Sequence, residues 1–78
     1  MVTTFDPQNS NHIQRLNYNP DDQYLEVTFK DTSTAIYANV PPKVFNEMVS
    51  FGSIGTYYHR VIRVHYREVG RTHPEGKN

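Results

Sequence analysis

The sequence predicts an α+β domain: a three-stranded antiparallel meander followed by two helices packed on one face, β-β-β-α-α in order. Three observations carry this. "YLEVTFK" (24–30) sets Leu25, Val27 and Phe29 on one side and Tyr24, Glu26, Thr28 and Lys30 on the other, the alternation of a half-buried strand. "PDD" (20–22) and "DTS" (31–33) have turn chemistry and divide the first half into strand-length pieces. After "PP" (41–42) the period changes, and Val44, Phe45, Met48 and Val49 recur at helical spacing.

Taken in order, residues 1–11 are polar and contain Pro7, and they are expected to form a flexible N-terminal arm. "IQRLNYN" then alternates Leu16 and Tyr18 against Arg15 and Asn17 as a first strand. Strand two is 24–30. "TAIYANV" (34–40), β-branched and aromatic, is strand three and pairs with it as a hairpin. Pro41 and Pro42 pre-set a helix that Gly52 stops. Ser53 caps a second helix from Ile54. "GRTHPEGKN" (70–78) has little apolar content and is expected to be a flexible C-terminal tail, leaving 12–69 as one domain.

A chain of 78 residues buries only roughly 60 % of its unfolded surface, so a homodimer is one expected route to added stability. Cysteine is absent, which removes disulfides, thiol catalysis and cysteine-ligated zinc. No stretch approaches the ~20 apolar residues of a membrane-spanning helix, and "MVTTFDPQNS" lacks the layout of a signal peptide. A cytoplasmic protein with no membrane partner is expected. Residues 1–42 carry a net charge of −3 and residues 43–78 carry +3, so the molecule is dipolar.

The basic half centres on "GTYYHRVIRVHYREVGR" (55–71), which holds four of the five arginines. At about 100° per residue, Ile54, Tyr58, Val61, Ile62, His65 and Val69 share one side of a helix. Arg60, Arg63, Arg67 and Arg71 share the opposite side, with Tyr57 and Val64 beside them. A buried helix needs a soluble outer face, and that alone accounts for many charged stripes. This stripe, however, is nearly all arginine, with Glu68 the only acid between residues 48 and 74. Arginine suits bidentate phosphate and carboxylate contacts, and a neighbouring tyrosine such as Tyr57 offers a stacking surface. Run as a strand, "RVIRVHYREV" would instead set Arg63, His65, Arg67, Val69 and Arg71 on one face, and a helix ending near Ile62 would leave the last arginines on a less regular segment.

The same residues resemble the KTSC domain, a small domain found at the C-terminus of some lysyl-tRNA synthetases and alone in short bacterial and phage proteins. The resemblance rests on "LNY" (16–18), "LEVTF" (25–29), "VP" (40–41), "SIG" (53–55), "YY" (57–58), "IR" (62–63) and Tyr66, in order and over residues 13–66. Two positions depart from the family pattern. A central Y-x-Y reads Ala35-Ile36-Tyr37, and His59 stands in place of asparagine. The resemblance implies a meander with two helices, a role in binding RNA, and no catalysis. A free-standing copy this short also looks like a phage protein that acts on host machinery.

Ser53 and Gly55 at a helix start are a possible anion site, although an N-cap and close packing explain them more simply. The four histidines lack metal-ligand spacing, and His65 on the apolar side reads as a core residue. No nucleophile elbow or paired-acid motif is present, so no catalytic residue, metal or cofactor is expected. Tyr24, out of phase with Leu25 and Val27, is expected to be exposed, whereas Tyr18 and Tyr37 are expected in the core. The leading expectation is a non-enzymatic RNA-binding module using Arg60, Arg63, Arg67 and Arg71, with Tyr57 and Tyr24 as aromatic contacts. The alternative is a protein-interaction module, such as a phage-encoded modulator of a host enzyme (RNA polymerase or a defence system), whose arginines meet an acidic protein surface.

Overall fold

A computed structural model describes residues 2–7 and 12–72. Its centre is a five-stranded antiparallel sheet in the order β1-β2-β3-β4-β5: β1 (Thr3–Phe5), β2 (Ile13–Asn19), β3 (Tyr24–Phe29), β4 (Thr34–Tyr37) and β5 (Glu68–Thr72). Between β4 and β5 lie α1 (Pro42–Ser50) and a second helical segment. The latter consists of α2 (Ile54–Tyr57), a π-helical turn (Tyr58–Ile62) and α3 (Arg63–His65).

The α+β class and the antiparallel meander hold, but the sheet has two more strands than the three expected. Residues 3–5 of the expected arm pair with β2, with Thr4 opposite Asn17. Residues 68–72, expected as helix end and tail, pair with β4 instead. The third strand ends at Tyr37 rather than residue 40, because Asn39 takes a left-handed backbone (φ 61°) and the Ala38 amide donates to Arg67 O. Of the expected arm and tail, residues 1, 8–11 and 73–78 fall outside the described residues.

Period-two alternation decides which face of the sheet is covered. Leu16, Tyr18, Leu25, Val27, Ala35 and Tyr37 point inward and are buried, with Phe45, Met48, Ile54, Tyr57, Tyr58 and Ile62 of the helices packed against them. Tyr18 stacks on Phe45 (4.7 Å between centroids, 10° between planes), and its hydroxyl donates to Val40 O. Strand and helix are thereby joined where Pro41 and Pro42 start α1.

The opposite face is polar. Thr4 Oγ1 donates to Asn17 Oδ1 (2.7 Å), and Asn17 Nδ2 donates to Glu26 Oε1 (3.1 Å), so a hydrogen-bonded row crosses three strands. Tyr24 stands on this face and is exposed.

Candidate functional site

The second helical segment begins at Ser53. Its Oγ accepts the Thr56 amide (3.3 Å) and donates to Thr56 Oγ1 (2.9 Å). Ser53 is therefore occupied as an N-cap, and nothing aims it or Gly55 at an external anion.

At Tyr58 the helix widens into a π-turn, closed by the Arg63 amide donating to Tyr58 O. An extra residue in one turn rotates everything after it. That is why His65, expected in the core, is exposed. Val69 is exposed as well, since it lies on β5 and no longer on a helix.

Tyr57 is not beside the arginines. It is buried, 8 % exposed, and its hydroxyl donates to Glu47 Oε1 of α1 at 3.1 Å. The helix packs against α1 as well as the sheet, so its buried arc is wider than a one-sided reading allows. Burial first, and Glu47 second, push the Tyr57 hydroxyl up to about 12. Tyr57 therefore offers no ring to a base. Tyr24 is exposed but stands on the sheet face that the helices leave open, away from the helix.

The four arginines divide between helix, linker and strand. Arg60 lies in the π-turn and Arg63 opens α3; Arg67 follows the helix end, and Arg71 lies on β5. All four are exposed. Arg71 Nε and Nη2 donate to Glu68 Oε2 and Oε1 at 2.9 and 2.8 Å. Those bonds hold the Glu68 carboxyl below its ordinary range and raise the guanidinium. Arg71 therefore leaves the expected set of unneutralised charges. Among the described residues, no ion pair reaches Arg60, Arg63 or Arg67. Arg63 Nη1 donates to His59 Nδ1 (3.3 Å), an imidazole rather than a carboxylate, on the same helical segment.

Sequence spacing also misses what surrounds that face. His12 precedes β2, yet its ring stands edge-on to His59 at 6.4 Å. Beside them a pocket of about 380 Å³ is lined by His12, Phe29, Lys30, Asp31, Ser33 and Arg71. His12 and Arg71 are distant in sequence from the Phe29–Ser33 turn and meet it only because β2, β3 and β5 share a sheet end. Among the described residues, no group of histidines and carboxylates is placed to hold a metal ion, and no helix is long and apolar enough to cross a membrane.

Fold and surface together define a small α+β domain whose second helical segment and the linker after it expose Arg60, Arg63 and Arg67. Residues 9–66 match the KTSC domain, and the chain belongs to that family. It is 30 % identical over 63 residues to a protein of Tsukamurella paurometabola, covering 81 % of this chain and 94 % of that one. To a protein of Stutzerimonas stutzeri it is 34 % identical over 59 residues, covering 74 % and 83 %. The crystal structure of a KTSC domain protein from Yersinia pestis superposes with a TM-score of 0.75 at 28 % identity, over 90 % of this chain and all of that one.

The family's central Y-x-Y can now be placed. Its two positions, Ala35 and Tyr37, both face the core. Whatever aromatic pair stands there in a relative with this register would be packing, not a surface platform.

Proposed function

We propose that this chain is a non-enzymatic module that binds single-stranded or structured RNA through Arg60, Arg63 and Arg67. The observation that carries the reading is the contrast among its arginines. Arg15 and Arg71 are each held by a carboxylate, at 2.7 and 2.8 Å, whereas Arg60, Arg63 and Arg67 have none among the described residues. Three exposed guanidiniums without counter-ions suit a phosphate backbone, which arginine meets bidentately. Tyr57 drops out of the proposed site because it is buried, and Tyr24 because it lies on the other side of the domain.

The test is fluorescence anisotropy of a labelled single-stranded RNA across a salt series. Log affinity should fall with log salt at about −0.7 per phosphate contacted. Converting Arg60, Arg63 and Arg67 together to Ala should weaken binding at least tenfold and flatten that slope, while Tyr24→Ala should leave both unchanged. Unaltered affinity in the triple variant would remove the site.

One observation favours a second reading. Val64 sits beside these arginines and is 68 % exposed. An apolar side chain there suits an acidic protein surface better than a sugar-phosphate chain. On that reading Val64→Asp abolishes capture of a nuclease-resistant protein from host lysate, a result RNA binding alone does not produce.

A further inference from the structure

We infer that the pocket at the His12 end of the sheet takes one unpaired nucleotide, with its base against Phe29 and its phosphate between Lys30 and Arg71. This rests on the RNA reading and adds to it the place where a base is read.

The pocket is continuous with the basic face. Arg63 is bonded to His59, and the His59 ring stands 6.4 Å from His12, which lines the pocket. A strand whose phosphates follow Arg60 and Arg63 would thus arrive at Lys30 and Arg71.

Volume and chemistry fit one nucleotide. About 380 Å³ lies within the range of small-molecule sites. Phe29, whose ring stands edge-on to Tyr58 at 5.5 Å, supplies a fixed aromatic wall. Arg71 commits Nε and one Nη2 hydrogen to Glu68. Of a guanidinium's five N–H donors, that leaves others for a phosphate.

Asp31 sets the preference. Its Oδ1 accepts from the Ser33 amide at 2.9 Å and the Ser33 hydroxyl at 2.5 Å. Those two bonds hold the carboxyl below its ordinary range, with Arg71 contributing. A carboxylate that is ionised and lines the pocket accepts from the N4 amino group of cytosine and repels the O4 of uracil.

Amide NMR titration of the full labelled chain tests this, using cytidine monophosphate, uridine monophosphate, inorganic phosphate and a single-stranded RNA oligomer. Cytidine monophosphate should shift the amides of Phe29–Ser33 and Arg71, and bind several-fold more tightly than uridine monophosphate. Asp31→Asn, which keeps an oxygen for Ser33, should erase that difference. Lys30→Ala should weaken the nucleotide about tenfold without changing the melting temperature. If the oligomer shifts residues 60–67 while neither it nor the nucleotide moves the pocket, the pocket is refuted and RNA binding stands. An oligomer that shifts neither surface removes the RNA reading as well. Equal shifts by inorganic phosphate and both nucleotides would mean an anion site that reads no base.

Discussion

Tyr37 Oη lies 2.8 Å from Tyr58 Oη, and this contact ties the last inner strand of the meander to the π-turn inside the core. Glu68 Oε1 accepts more weakly from Tyr37, at 3.4 Å. Tyr58→Phe leaves the Tyr37 hydroxyl with that distant partner and should cost about 1 kcal/mol. Removing both hydroxyls together should cost less than the sum of the single variants, because no orphaned group remains. Urea midpoints at unchanged m-value measure both effects, and strict additivity would show the two hydroxyls are not coupled.

Alkali should act on the same interior. Burial raises Tyr37 above the ordinary phenol range, and Tyr57 is raised to about 12. In the unfolded chain a tyrosine loses its proton near pH 10. Between about pH 10 and 12 the unfolded state binds fewer protons than the native one, so stability falls as pH rises. Below pH 10 this contribution is fully present. Tyr57→Phe should flatten the fall, and an identical alkaline profile would show that Tyr57 does not carry it.

Ser53→Ala separates a helix cap from an anion site. Loss of the Oγ bond to the Thr56 amide should destabilise the domain by about 1 kcal/mol. RNA affinity under folding conditions should not change. A loss of affinity without a loss of stability would reverse the assignment.

Glu68→Gln should strengthen RNA binding. The substitution removes the carboxylate charge that offsets Arg71, so its guanidinium meets phosphate with its full positive charge. The salt dependence should steepen by about 0.7 in slope. No change in slope would mean that Arg71 lies beyond the bound strand.

The inner sheet is legible in the sequence because Leu16, Tyr18, Leu25, Val27 and Tyr37 follow a strict alternation that one buried face imposes. The edge strands are not. β1 has three residues, too few for a pattern, and β5 contains Gly70 and is defined by its register with Ile36 rather than by its own periodicity. Both lie outside residues 9–66, so the matched span contains the three strands and two helices that the sequence predicts. The arginines could be located by spacing, but their pairing could not: Glu68 holds Arg71 because an irregularity in β5, opposite Ile36 and Tyr37, skips Val69 and brings both side chains to one face of the strand. Spacing alone sets Tyr57 beside the arginines, whereas the second helix touches α1 as well as the sheet, and one-dimensional periodicity carries no sign of a second neighbour.

Each of the first four strands lies beside its neighbour in the chain, whereas β5 reaches β4 only after the whole helical segment has turned back. Closing that larger loop comes at a conformational cost the earlier hairpins avoid. The outermost ribbon should accordingly seat last when the chain collapses and detach first under mild denaturant. Deuterium uptake at Val69 and Arg71 should then outpace that at Val27 by orders of magnitude.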